Sequence, residues 1–360
     1  MLPDLRGGGA ERLHLNLAHA WVREGIDVEF VLLRAHGELM HMLPSGASVH
    51  ELGVTRMRSA IPALRRYLRG AKPDVTLVAM WPLTCVGVMA WLASGRGGRL
   101  FLSDHTQLSV ACLEETSTSL KTLALSIRLT YPFASGVIAV SKGVRDDLCR
   151  LGGLSTQRVH VVYNPAAIDP DEAPVTDVDP DVLWGRSGGL RLLSVGTLKP
   201  QKDHATLLRA LALLPATVDA RLVVLGDGPL RAELAALAED LNVSSRVVFR
   251  GFVDDPTQWL RAADLFVLSS RWEGFANVVV EALSFGVPVV STNCPSGPSE
   301  ILEDGRFGDL VPVADPASLA HAIVRSQEKE WERGVLKDRA RDFSVSTIAH
   351  QYLRVMGIEA

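Results

Sequence analysis

The sequence predicts two doubly wound α/β domains in tandem. Short β-branched runs alternate with longer helical patterns along the chain, the signature of parallel sheets wrapped by crossover helices rather than of a sandwich or bundle. At 360 residues, 47% hydrophobic and 22% charged, the chain is too long for one compact core. The alternation breaks once, at an acidic, proline-bearing stretch from Asn164 to Asp181 that has neither period and suits a hinge, and then restarts. This places the domains at 1–165 and 166–343, with a last helical pattern at 344–357 packing back on the first.

In the first half the expected strands are Val28 to Leu33, Val75 to Ala79, Leu100 to Ser103 and Gly136 to Val140. Helical patterns cover Glu11 to Arg23, Ile61 to Arg69, Leu83 to Ala93 and Leu120 to Leu129. In the second half Leu190 to Val195, Arg221 to Leu225, Val247 to Arg250, Leu265 to Ser269 and Val287 to Ser291 read as strands, each followed by a plausible helix. Ligands are expected in a cleft between the domains, where strand carboxyl ends and switch points gather. One irregularity stands at the start. The turn at Gly7-Gly-Gly normally follows a buried strand, yet only Met1 to Leu5 precede it and Pro3 suits a central strand poorly, so most of the first strand is expected upstream of Met1.

Nothing approaches eighteen consecutive apolar residues, and the first residues lack the apolar core and cleavage site of a signal peptide, which reads as cytosolic. Cys85, Cys112, Cys149 and Cys294 are scattered without a C-x-x-C pair, so neither a zinc site nor a disulfide framework is suggested. They are expected to be reduced and inert. A net charge of −4 argues against bulk nucleic-acid binding.

Three segments suit a phosphorylated sugar donor. The run Leu5-Arg-Gly-Gly-Gly-Ala-Glu-Arg opens the first helical pattern; its glycines would let the backbone approach an anion, although a plain strand-to-helix turn explains them too. In Ser194-Val-Gly-Thr-Leu-Lys-Pro-Gln-Lys-Asp-His a strand ends in glycine and Lys199 and Lys202 follow, either as counterions for a departing diphosphate or as a solvated loop. In Glu273-Gly-Phe-Ala-Asn-Val-Val-Val-Glu281 two carboxylates flank a helix start. Carboxylates would accept from sugar hydroxyls and the amides between them would hold phosphate; an amphipathic helix with two surface glutamates is the plainer account, which the preceding strand and the following Ser284-Phe-Gly-Val-Pro-Val-Val disfavour. Asn293 to Glu300 reads as a further polar turn lining the cleft, with helix capping as the plainer account. Asp104 and His105 leave the end of a strand in the first half, and a purely structural histidine would fit there equally.

Taken in order, these residues resemble glycosyltransferase family 4 over nearly the whole chain. The Glu273 to Glu281 pattern within Glu-Gly-Phe carries most of the likeness. Val-Gly-x-Leu with Lys202, Leu225-Gly-Asp-Gly-Pro, Gly251-Phe-Val, Ala139-Val-Ser-Lys and Tyr163-Asn-Pro support it. The resemblance implies the GT-B fold, with an acceptor-binding domain before a nucleotide-sugar-binding one. It implies that Glu273 contacts the donor sugar, that Lys202 and the backbone at Gly274, Phe275, Ala276 and Asn277 hold the diphosphate beside Gly196, Thr197 and Lys199, and that Glu281 holds the ribose. By the same likeness the backbone near Val253 meets the base, His105 stands near the transferred sugar, and Gly8 and Gly9 belong to the loop closing on the substrates. Thr197 departs from the pattern, since arginine is frequent there; Lys199 supplies the charge, or diphosphate is held more weakly.

The family retains the anomeric configuration, and no carboxylate is placed to attack beneath the sugar. Front-face transfer is therefore expected, with no metal and no cofactor, from a donor that family frequency makes a uridine one. On the acceptor side, residues 56–72 hold Arg56, Arg58, Arg65, Arg66, Arg69 and Lys72 and no acidic residue. Arg58, Arg65 and Arg69 fall in a stripe beside Ile61, Leu64 and Leu68, which fits a core-packed helix with a basic outer face or a helix resting on an anionic membrane at the inner face of the cytoplasmic membrane. Rival readings are a sugar-nucleotide epimerase, a silent nucleotide-sugar-binding subunit and, last, a nicotinamide dehydrogenase, whose G-x-G-x-x-G spacing is absent.

Overall fold

The computed structural model describes residues 1–6, 8–115, 118–173, 178–185 and 188–359. Contacts divide the chain into two units, Met1–Pro165 with Ser344–Ala360, and Ala166–Phe343.

In the first unit the strands are β1 (Glu29–Leu32), β2 (Ser48–Glu51), β3 (Val75–Ala79), β4 (Arg99–Asp104), β5 (Gly136–Ala139) and β6 (Val159–Val161). β3 to β6 lie side by side in chain order, β1 pairs with β2, and every pairing is parallel. Residues 1–5 lie between β1 and β3: Leu2 bridges Leu32, the Met1 ammonium donates to the Leu77 carbonyl at 2.6 Å, and the Ala79 amide donates to the Met1 carbonyl at 3.1 Å. With that segment counted first, the order is 3-2-1-4-5-6 with β6 beyond it, the doubly wound arrangement. Gly7 is outside the described residues.

The helices are α1 (Gly9–Arg23), α2 (Met57–Ala71), α3 (Leu83–Ser94), α4 (Leu108–Glu115), α5 (Leu120–Thr130) and α6 (Lys142–Gly152). α3 is apolar nearly all round because α2 covers its outer side, and such a helix belongs in a core. α2 buries Ala60, Leu64 and Leu68, starts a turn before the expected Ile61 and carries Pro62 inside it. Its Arg65 and Arg69 donate to the Ala93 and Ser94 carbonyls at 3.1 and 3.3 Å, placing cations at the negative end of α3. Among residues 56–72 no large apolar side chain is exposed. The stripe read from the sequence is thus a core face with a basic rim.

The helix Val345–Met356 completes this unit. Ile348, Ala349, Tyr352, Leu353 and Met356 are buried on one face, Trp21 Nε1 donates to the Ala349 carbonyl at 3.3 Å, and the Trp21 and Tyr352 rings meet edge to face at 6.2 Å.

In the second unit β7 (Leu190–Val195), β8 (Ala220–Leu225), β9 (Val247–Gly251), β10 (Leu265–Leu268), β11 (Val289–Thr292) and β12 (Asp309–Val311) form one parallel sheet ordered β12-β11-β10-β7-β8-β9. In chain terms this is again 3-2-1-4-5-6, with the switch point between β7 and β10. Its helices are α7 (Pro180–Trp184), α8 (His204–Leu213), α9 (Arg231–Asp240), α10 (Thr257–Ala262), α11 (Asn277–Ser284), α12 (Pro298–Ile301), α13 (Pro316–Glu328) and α14 (Arg333–Arg341). α7 begins inside the stretch read as an aperiodic hinge, because Asp179 accepts from the Asp181 amide and Pro180 supplies a ready first residue. Leu192, Leu207, Leu211, Leu222, Val224, Leu265, Val267 and Ile323 fill the core on one side of the sheet.

Tyr352→Ala should remove about 3–5 kcal/mol from the first unit, as truncation of a buried aromatic does. Urea unfolding followed by fluorescence and by hydrogen exchange checks this; the second unit should keep its protection.

Candidate active site

At the switch point of the second unit, the loop after β7 meets the loop after β10. Gly196 follows β7, and a Cβ there would stand 3.2 Å from Lys202 Cδ and Cε, so the lysine stem lies across the glycine. The turn Pro200–Lys202 is laced to the other loop. Ser269 Oγ donates to the Lys202 carbonyl at 2.8 Å, the Arg271 amide to the Gln201 carbonyl at 2.8 Å, and Gln201 Nε2 to the Trp272 carbonyl at 2.9 Å.

This lacing brings together residues 71 apart. Lys202 Nζ donates to Glu273 Oε1 at 2.6 Å, and Ser270 Oγ donates to the same oxygen at 2.6 Å. The side chains are 16% and 8% exposed. The Glu273-Gly-Phe turn is held from behind: Ser296 Oγ donates to the Glu273 and Gly274 carbonyls at 2.9 and 3.1 Å, and Thr292 Oγ1 to the Ser270 carbonyl at 2.6 Å. Cys294 stands near Glu273 and Lys202 with its thiol pushed up to about 12, burial first among the causes, so it stays protonated and inert.

Phe275 is buried edge to face against Phe343. Ala276 caps α11 in the left-handed region at φ 75, ψ 60, a conformation that strains a residue with a Cβ. α11 then buries Val279, Val280, Ala282 and Leu283 and leaves Asn277 and Glu281, one turn apart, on its half-buried face. Glu281 is therefore on the same side as the helix start. Of the remaining donor-side candidates, Thr197 is exposed, Lys199 and Val253 are half-buried, and Phe252 beside Val253 is 71% exposed. Glu300 falls in α12, where its carbonyl accepts from Arg339 Nη2 at 2.8 Å. Ser270, Ser296 and Thr292 were not singled out from the sequence; the one available signal was a serine three residues ahead of Glu273.

In the first unit, β4 ends at Asp104 and His105. Asp104 turns inward: Tyr131 Oη donates to its Oδ2 at 2.7 Å, and Thr84 Oγ1 pairs with Tyr131 Oη at 2.8 Å. Burial pushes the Asp104 carboxyl up to about 6. His105 turns the other way and keeps part of its surface open, with Nε2 on Ser103 Oγ at 3.1 Å and Nδ1 enclosed without a hydrogen-bond partner among the described residues. Its ring lies 5.2 Å from that of His14 in an edge arrangement. His14 Nδ1 bonds to the Ala10 carbonyl at 2.7 Å, which fixes the proton on Nδ1, and burial lowers its pKa to about 4. Both imidazoles are thus neutral at pH 7, His105 being held well below its ordinary value by burial and by His14. The sequence placed Asp104 with His105 as a cleft residue; the aspartate instead anchors the strand end. Gly8 caps α1 and Gly9 opens it; Glu11 folds over them so closely that a Cβ on Gly8 would stand 2.2 Å from Oε2. Among the described residues no three His, Cys, Asp or Glu side chains are grouped to hold a metal ion.

Asp104 has a raised folded pKa, so the stability it contributes is full below its unfolded value of 3.8 and is lost as pH rises through about 6. Relative to Asp104→Asn, the parent protein should lose about 2 kcal/mol of stability between pH 4 and pH 7. Urea titrations across that range measure this; a constant difference would show an ordinary carboxylate.

Residues 7–170 match the Glycosyltransferase Family 4 model and residues 189–328 the Glycosyl transferases group 1 model. The chain is 33% identical over 247 residues to the N-acetylgalactosamine-N,N'-diacetylbacillosaminyl-diphospho-undecaprenol 4-alpha-N-acetylgalactosaminyltransferase of Campylobacter jejuni, an alignment covering 69% of this chain and 65% of that protein, just under two thirds of its length. It is 28% identical to the lipopolysaccharide core biosynthesis glycosyltransferase LpsE of Rhizobium meliloti over 98% of this chain and 96% of that one. Among solved structures, Anabaena HepE in complex with UDP and with UDP-glucose superposes with a TM-score of 0.81 at 24% identity, covering 99% of this chain and 98% of that one. With both halves matched and the doubly wound order present in each unit, the chain belongs to glycosyltransferase family 4 and has the GT-B fold.

Proposed function

We propose that the chain is a retaining transferase that moves a hexose or N-acetylhexosamine from a uridine diphosphate sugar to a glycan or lipid-linked acceptor in cell-surface polysaccharide synthesis, working at the inner face of the cytoplasmic membrane. The observation that supports this most is the convergence of Lys202, Glu273 and the start of α11 at the switch point of the second unit. A diphosphate meets there an ammonium and the backbone amides of a helix start, and sugar hydroxyls meet a carboxylate. The similar proteins point the same way, since one structure holds UDP-glucose, one relative is named for a diphospho-undecaprenol acceptor and another for lipopolysaccharide core synthesis.

In this reading the bond from the anomeric carbon to the β-phosphate breaks as the acceptor hydroxyl attacks from the same face. The hydroxyl proton passes to the departing phosphate oxygen. Lys202 and the α11 amides stabilise the charge that grows on that phosphate, Glu273 orients the sugar, Glu281 takes the ribose, and neutral His105, its Nε2 held by Ser103, adds no charge near the sugar. Gly196, Thr197 and Lys199 flank the diphosphate and Val253 the base. The reading calls for no metal and no cofactor.

A panel of nucleotide sugars tests the donor, because a ligand of the folded state raises the melting temperature. A UDP-sugar should give the largest rise, and a panel with no rise would end the proposal. Lys202→Ala should lose on the order of 100-fold in turnover; activity within about twofold of the parent protein would refute the assignment. Glu273→Ala should impair transfer more than UDP binding, read by a transfer assay beside calorimetry, and equal losses would count against its role.

A further inference from the structure

The first unit carries exposed apolar side chains that its core does not use. On α5, Leu125 and Leu129 are 57% and 63% exposed, and Phe133, one turn beyond, is 47% exposed. With Lys121 they follow at intervals of four, along one side of the helix and its extension, while Leu123 and Ile127 on the opposite side are buried. Solvent-facing leucines one turn apart beside an exposed phenylalanine make a patch rather than scattered exceptions.

Charge distinguishes what would cover it. From residue 116 to residue 145 there is no aspartate or glutamate, whereas Lys121, Arg128 and Lys142 fall within that span; Arg145 at its end is paired with Asp146 at 2.8 Å. Around the phenylalanine, the Arg96 guanidinium lies 5.9 Å from the Phe133 ring centroid, and Arg158 Nη2 donates to the Pro132 and Ala134 carbonyls at 2.9 and 2.7 Å. Apolar side chains on a helix whose own charges, Lys121 and Arg128, are both positive match an anionic bilayer surface, into which leucine and phenylalanine sink while lysine and arginine stay at the headgroups. α2 lacks this combination, since its apolar side is buried and only its cations face outward.

We propose that the outer face of α5, through Leu125, Leu129 and Phe133 with Lys121, Arg128 and Arg96, docks the protein on an anionic lipid surface. The proposal rests on the lipid-linked acceptor reading above, and gives that reading a place of contact on the first unit. Sedimentation of the full chain with vesicles of phosphatidylcholine and phosphatidylglycerol, against phosphatidylcholine alone, tests it. Binding should require the anionic lipid and weaken at high salt. The pair Leu125→Glu with Leu129→Glu should reduce binding by on the order of tenfold, and the milder Leu125→Gln with Leu129→Gln by less, since burial of each leucine contributes. Arg58→Glu with Arg66→Glu on α2 should change it much less than the glutamate pair on α5 does. Unchanged binding in the α5 variants, equal binding to both vesicle types, or no vesicle binding together with a dimer that the α5 variants dissociate would each overturn the proposal. Melting with and without a UDP-sugar, run on the same variants, reports on the donor site alone, so loss of docking is distinguishable from failure of the transferase reading.

Discussion

An ion pair closed off from most of the solvent imposes conditions on everything around it. Lys202 and Glu273 each surrender hydration, and attraction between them offsets that loss only if both are held at short range with additional hydrogen bonds. Ser270 supplies the extra donor on the carboxylate, while Ser269, Gln201 and the Arg271 amide fix the loop that carries the lysine. The arrangement resists removal of one partner, because the survivor would be left charged and buried. It also leaves the lysine responsive to an incoming anion, since a diphosphate would compete with Glu273 for the same ammonium and leave the carboxylate to sugar hydroxyls.

The two units use one topology for different electrostatic ends. In the second unit the strand ends hold opposite charges and a helix start whose amides attract anions. In the first, the strand end hides its carboxylate beneath Tyr131 and presents imidazoles that burial keeps neutral. In the proposed reaction, phosphate chemistry belongs with the former. A neutral hydrogen-bonding surface suits hydroxyl-bearing substrates, and extra positive charge there would favour stray anions.

The long strands were legible because β7, β8 and β10 are buried on both faces and so read as continuous β-branched or leucine runs. Three strands escaped for physical reasons: β2 is exposed along its whole length and has no apolar face, while β6 and β12 are three residues long and sit at sheet edges. Pro62 shifted the expected start of α2, since proline favours a first turn and here lies further in. Spacing alone marked Lys202, Glu273 and Glu281 as worth attention. It carried no hint that Thr292 and Ser296 brace the turn, because hydroxyl partners contributed from distant parts of the chain leave no periodic trace; only Ser270, three residues ahead of Glu273, left a local one. For Asp104 the residue type pointed outward; the side chain's direction depended on Tyr131, 27 residues away.

The docking of the Val345–Met356 helix against Trp21 has a bearing on biogenesis. A ribosome releases the first unit's sheet long before it makes the helix that covers α1, and the whole intervening Rossmann unit emerges in the meantime. Throughout that interval Trp21 and its apolar neighbours stand open to water, a state that invites chaperone capture or aggregation. The second unit can therefore reach its native form before the first, whose closure waits for synthesis of the Val345–Met356 helix.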